Sequence, residues 1–175
     1  MSPRGHYLTA IGVGIASSVA WARLSGPADG PGGLGLAALM GGFLAGARAP
    51  DVLEIATFVG GERASVIPHR TLTHWIPLWV LALYAAFLVC TETQAALWLR
   101  ALVAGFVAAG ALHVLMDFFT PTGVPLLLPV PRARVRMPLY HTGKFGEELV
   151  VLVFLAAVGI STTLMLAAPM AKPPW

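Results

Sequence analysis

The sequence predicts an all-α fold: an integral membrane bundle of about five helices with an irregular, proline-rich loop at the membrane interface. Three observations carry this expectation. Hydrophobic residues make up 57% of the 175-residue chain and charged residues only 11%, with a mean hydropathy of +0.78, which is too apolar for a typical soluble domain. Apolar runs recur along the chain at lengths near the ~20 residues a bilayer requires. The polar chemistry is gathered rather than scattered. All five histidines (His6, His69, His74, His113, His141) and six of the eight acidic residues (Asp51, Glu54, Glu62, Asp117, Glu147, Glu148) fall in stretches that such a bundle delivers to one side. Imidazoles and carboxylates are costly in lipid, so a membrane protein that collects them has a use for them.

The first element runs from Tyr7 to Ala22. Arg4, the apolar stretch and Ala20-Trp21-Ala22 imitate a secretory leader, but Gly12, Gly14, Ser17 and Ser18 dilute the stretch and further spans follow, so the segment is expected to be retained. Ser25 to Gly33 is a Gly/Pro-rich linker that ends the helix. The second element, Gly33 to Ala47, carries a small-xxx-small pair at Gly42 and Gly46, expected to serve general close packing of helices. The third runs from Trp75 to Cys90, the fourth from Ala95 to Met116 and the fifth from Leu149 to Ala168. The first three are short for a span and call for tilt, a thinned bilayer or partial burial. No internal repeat stands out, and the length fits a single domain over 1–175.

If every segment crosses, Arg4, Arg48, Arg63, Arg70, Arg132, Arg134, Arg136 and Lys144 share one side, against Arg23, Arg100 and Lys172 on the other. The positive-inside rule then puts the N-terminus and both polar connections in the cytoplasm. The basic residues form no stripe on a polar helix, so nucleic-acid binding is not expected. Cys90, the single cysteine, reads as a small core residue.

Several pairs carry the spacing of chemistry. His113 and Asp117 stand at i and i+4 on one helical face, near enough to share one metal ion, although the same spacing also serves an ordinary hydrogen bond. Asp51 and Glu54 follow Pro50 at i and i+3, as ligands or as solvated helix-end carboxylates. In Pro68-His-Arg-Thr-Leu-Thr-His-Trp75, His69 precedes a helix and His74 projects from its first turn. Thr71 and Thr73 are suited to orient imidazoles, while the plainer reading is a pair of interfacial histidines. His6 opens the first helix and Glu147 the fifth, so separate stretches bring potential ligands to the same face. The run from Phe118 to Pro131 is apolar and punctuated by proline, which excludes regular helix. Arg132, Arg134 and Arg136 alternate with Ala133 and Val135, giving an extended basic face for a headgroup or phosphate ester, or a plain cytoplasmic anchor.

Taken in order, these blocks resemble the YdjM family of inner-membrane metal-dependent hydrolases. They are Gly5-His6, Pro50-Asp51, HRTLTH at His69 to His74, His113-xxx-Asp117, TPTGVPLLLP at Thr120 to Pro129, the Arg-x-Arg-x-Arg-Met-Pro run to Pro138, and Gly143 with Glu147. The family is in turn similar to zinc-dependent phospholipase C and P1-type nucleases, an analogy at the level of fold. The resemblance implies a bacterial inner-membrane location and a divalent metal, zinc above all, as one to three ions. It implies His6, Asp51, His69, His74, His113, Asp117 and Glu147 as ligands. Two positions depart from the family pattern: Leu53 stands where a second acid is common, with Glu54 one residue on, and Trp75 stands where Ser is common.

The expected chemistry is hydrolysis of a lipid or prenyl phosphate ester by metal-activated water. Asp51 or Glu54 would steer the attacking hydroxide. Arg70, with Arg132, Arg134, Arg136 or Lys144, would neutralise the phosphate. A metal-binding scaffold that docks a partner is the alternative, separated by the absence of turnover. A metal transporter fits less well, because the middles of the segments lack ionisable residues. His141 lies outside the matched blocks and is expected to be an exposed loop residue.

Overall fold

A computed structural model describes residues 1–25, 32–59, 62–127 and 134–168, and only the backbone of 56–59 and 62–65. Residues 26–31 of the linker, the outer part of the proline-rich loop with Arg132, and Lys172 lie outside the described residues, as does the Arg63 side chain.

Helix α1 spans Pro3–Leu24. The Ser2 side chain accepts a hydrogen bond from the Gly5 amide and Pro3 stands in the first turn, so the helix starts four residues before the apolar run that announced it. Helix α2 spans Gly32–Gly46, the short α3 Ala49–Val52, α4 Ile76–Glu92, α5 Leu97–Phe118 and α6 Phe145–Ala167. Apart from α3, which no predicted segment covers, these match the five predicted segments to within a few residues and give the all-α bundle. Helices α1 and α5, of 22 residues, and α6, of 23, are long and apolar enough to cross a membrane. Helices α2 and α4, of 15 and 17 residues, reach about 22 and 26 Å, short of a hydrocarbon core of about 30 Å.

Helix α5 is the centre of the bundle, packed by α1, α2 and α4, while α6 lies along α1. The α2–α5 crossing is backbone against backbone. A Cβ at Gly42 would run into the Leu102 carbonyl, one at Gly46 into the Phe106 carbonyl, and one at Gly105 into the Leu39 carbonyl. The small-residue pair in α2 therefore serves packing inside this chain. Ala10, Leu39, Phe43, Ala101 and Ala109 fill the space around the crossing. Lower down, Ala49, Trp79, Val114 and Val124 form a second cluster, and the Trp79 indole donates to the Thr73 carbonyl at 2.7 Å.

Two small antiparallel ladders stand outside the helices. Strands β1 (Ala56–Val59) and β2 (Glu62–Ser65) pair with Ala56 opposite Ser65 and Val59 opposite Glu62. Strands β3 (Val124–Pro125) and β4 (Arg134–Val135) pair Val124 with Val135, which is the extended conformation expected for the alternating arginines.

The crossing yields a prediction. Gly105→Leu should destabilise the detergent-solubilised protein by about 1–3 kcal/mol or prevent folding, because the backbones must separate. Gly159→Ala, where a Cβ meets nothing within 4 Å, should leave the thermal midpoint unchanged or raise it. Equal midpoints for the two variants would refute the crossing.

Candidate metal centre

The last turns of α5 present His113 and Asp117 on its inner face, both almost fully buried. The tight α2–α5 crossing brings the end of α2 beside them, and the His113 Nδ1 lies 2.7 Å from the Ala47 carbonyl oxygen. A carbonyl only accepts, so Nδ1 carries the proton and the neutral ring presents a bare Nε2. Two residues beyond Ala47, α3 begins and supplies Asp51, half-buried. The 3-10 turn Leu72–His74 supplies His74, which is wholly buried. Its Nδ1 faces the Thr73 hydroxyl at 3.1 Å and the Glu54 carboxylate at 3.4 Å. With its proton on Nδ1, toward these two oxygens, the neutral ring would present a bare Nε2.

The two bare nitrogens look at the two carboxylates. His74 Nε2 is 3.5 Å from both Asp51 Oδ1 and Asp117 Oδ2, and His113 Nε2 is 3.8 and 3.7 Å from the same two atoms. These separations are too long for normal hydrogen bonds, and both nitrogens are buried without a hydrogen-bond partner. These four N···O separations are near the ~3.4 Å between ligand atoms that lie ~2.1 Å from a tetrahedral ion, and Asp51, His74 and His113 offer three ligand atoms within 4.8 Å of one another. The residues fit a divalent metal on their own geometry.

Two further groups adjoin this tetrad. His6, from the first turn of α1, stacks on His113 with ring centroids 3.5 Å apart and planes 6° apart, and its Nε2 lies 3.5 Å from Asp117 Oδ1. His6, His113 and Asp117 could hold an ion, as could Asp51, Glu54 and His69. His69 Nδ1 sits 2.8 Å from both Glu54 oxygens, with its side chain 45% exposed. Glu54 is fully buried and also accepts from the Arg70 amide at 3.0 Å, so one carboxylate organises the whole His69–His74 turn.

Arg70 adopts a left-handed backbone, φ 57°, a conformation that costs a non-glycine residue about 1 kcal/mol or more. In return its guanidinium reaches Asp117 Oδ1 at 2.9 Å and the Thr120 hydroxyl at 3.1 Å. Asp117 Oδ1 also meets the Met1 amine. Arg134 braces the turn from outside, donating to the His69 and Arg70 carbonyls at 3.4 Å. Burial, and then the charge of Arg70, lower its pKa. A cleft of about 640 Å³ opens over the cluster, lined by Arg48, Asp51, Ile55, His69 and Arg70 among others.

Glu147 lies elsewhere. Its Oε1 accepts from the Ser2 amide at 2.8 Å and hydroxyl at 2.5 Å, and its Oε2 from the Gly143 amide at 2.7 Å. It ties the start of α6 to the start of α1 and belongs to none of the three groups. His141 is exposed and outside them. Arg136 donates to the Pro121 carbonyl at 2.6 Å, and Lys144 lines a separate cavity. Three supports escaped the sequence reading: the Ala47 carbonyl, which no side-chain pattern announces; Thr120, which carries Arg70; and Tyr140. The Tyr140 hydroxyl donates to the Met116 carbonyl at 2.7 Å, and burial, then the charges of Asp117 and Glu147, raise its pKa and keep it a phenol.

The family model described as YdjM inner membrane protein matches residues 1–171. The chain belongs to the YdjM family. A relative of this chain in Bacillus subtilis (strain 168), "Uncharacterized protein YvsG", is 34% identical over 113 residues, which cover 60% of this chain and 66% of that protein. No solved structure matches. For this YdjM protein the membrane assignment and the His/Asp clusters thus stand together.

Glu147→Ala leaves two amides and a hydroxyl without their acceptor, which should cost about 1.5–3 kcal/mol and lower the thermal midpoint by several degrees. A midpoint equal to that of the unmodified protein would show that the link between α1 and α6 does not bear on stability.

Proposed function

We propose that this protein is a membrane-bound, metal-dependent phosphoesterase whose cleft faces the cytoplasm and takes a lipid or prenyl phosphate ester. The observation that carries the reading is the tetrad of two bare imidazole nitrogens and two carboxylates at 3.5–3.8 Å, buried beneath an open cleft. The mixed nitrogen and oxygen donors favour zinc. Three overlapping groups, His6–His113–Asp117, Asp51–His74–His113 and Asp51–Glu54–His69, could each hold an ion, so room exists for more than one.

A bound divalent ion supplies Lewis acidity, making water a better nucleophile near neutral pH and drawing charge from the phosphoryl group. His74, His113, Asp51 and Asp117 would hold it, with His6 and His69 flanking them. Glu54, beneath His69 and His74, orients both rings rather than meeting substrate. Asp51 and Asp117 both line the cleft, and Asp51, the more exposed of the two, orients the attacking water. Arg70, held at the cleft wall by Asp117 and Thr120, engages a phosphoryl oxygen. Membrane lipids are then solvent and substrate source alike. The excess of arginines on the side that bears the cluster supports the cytoplasmic orientation, and the family match over 1–171 supports reading the chain as one unit.

The test is phosphate release from a panel of lipid and prenyl phosphates by the purified, reconstituted protein, with bound metal quantified in parallel. Chelation should abolish turnover and zinc should restore it. His113→Ala and Asp117→Ala should lose metal and at least about 100-fold of the rate, while Arg70→Lys keeps metal and loses kcat/KM. Unchanged metal content in the first two variants would overturn the metal site. A fully metallated protein that hydrolyses none of the panel would overturn the enzyme.

A further inference from the structure

A second cavity, of about 390 Å³, runs between α1 and α6 and shares no lining residue with the cleft over the metal cluster. Its rim holds Arg4, Lys144 and Glu148, all exposed, and its walls descend along Leu8, Val151, Leu152 and Leu155. Both helices are long and apolar enough to cross a membrane, so the apolar end of the groove runs along the hydrocarbon and the charged rim lies at one interface. Glu147 lines the same cavity, but its oxygens are taken by Ser2 and Gly143, which leaves Arg4, Lys144 and Glu148 to meet a ligand.

We propose that this groove seats a membrane phospholipid with a primary-amine headgroup. The phosphodiester lies between Arg4 and Lys144, the ammonium meets Glu148, and one acyl chain follows Leu8, Leu152 and Leu155. Charge complementarity decides the occupant. Two cations on the rim match a phosphate, and the neighbouring carboxylate disfavours a purely anionic headgroup while rewarding an amine. Free phosphate would use the rim and leave the apolar walls uncovered. The lipid is a resident of the helix pair, distinct from any substrate in the metal cleft, and the proposal stands whether or not that cleft is catalytic.

Native mass spectrometry of the full chain in detergent, titrated with phosphatidylethanolamine, phosphatidylglycerol and phosphatidylcholine of identical chains, tests this. Phosphatidylethanolamine should be retained most strongly. Arg4→Gln and Lys144→Gln should each weaken its retention about fivefold. Glu148→Gln should erase its advantage over phosphatidylcholine, and Leu152→Trp should weaken all three lipids alike. The substituted side chains are exposed, and an unchanged thermal midpoint in lipid-free detergent verifies folding. Equal retention of the three lipids, preference for phosphatidylglycerol, indifference to the Arg4 and Lys144 substitutions, or displacement of the lipid by inorganic phosphate would each overturn the proposal.

Discussion

Four electron-rich atoms face one another at the base of the bundle, and the rest of the architecture makes sense as the means of holding them there. The Ala47 carbonyl behind His113 takes its Nδ1 proton and leaves Nε2 bare, and a proton on the His74 Nδ1, toward Thr73 and Glu54, would do the same for His74. In front the two Nε2 atoms meet Asp51 and Asp117 at 3.5–3.8 Å. Lone pairs aimed at carboxylates in a buried place repel, and no hydrogen bond relieves the two nitrogens. Arg70 offsets part of the charge at Asp117. A cation at the centre would turn the repulsion into four attractive contacts, and these residues belong to groups that could hold a metal ion.

That constraint reaches far into the fold. The Ala47 carbonyl can touch His113 because α2 and α5 cross with glycine against backbone, and any Cβ at Gly42, Gly46 or Gly105 would push the two helices apart. Asp51 follows within one turn, in an α3 started by Pro50. The left-handed backbone of Arg70 bends the chain so that its amide serves Glu54 while its guanidinium serves Asp117. Strain of that kind persists where neighbours over-determine it, and Thr120, Arg134 and Glu54 together do so here.

Much of the fold was legible because lipid removes choices. A run of apolar residues long enough to enter a membrane must be helical, so five segments could be drawn from hydropathy, and small-residue spacing announced a close helix contact for α2 without naming α5 as its partner. The β1–β2 hairpin was missed, although Thr57, Phe58 and Val59 before Gly60-Gly61 carry a hairpin pattern; a short polar strand pair outside the bundle leaves no mark on hydropathy. At the site, a spacing of i and i+4 was enough to put His113 and Asp117 on one face. It could not separate Asp51, which joins the tetrad, from Glu147, which stands at an equally suitable place in sequence but spends both oxygens on Ser2 and Gly143. Glu54 was read among the carboxylates that touch chemistry. Its burial under two histidines is a matter of the Arg70 turn, which no pattern of residue types specifies.

The account stands on the claim that one cation sits among His74, His113, Asp51 and Asp117. X-ray absorption spectroscopy of the zinc-loaded protein in detergent measures this most directly. The account predicts a first shell of nitrogen and oxygen atoms only, at about 2.0–2.1 Å, with the outer-shell signature of two imidazole rings, reduced to one ring by His74→Ala. A shell of six water oxygens, or sulfur scattering from Cys90, would contradict it.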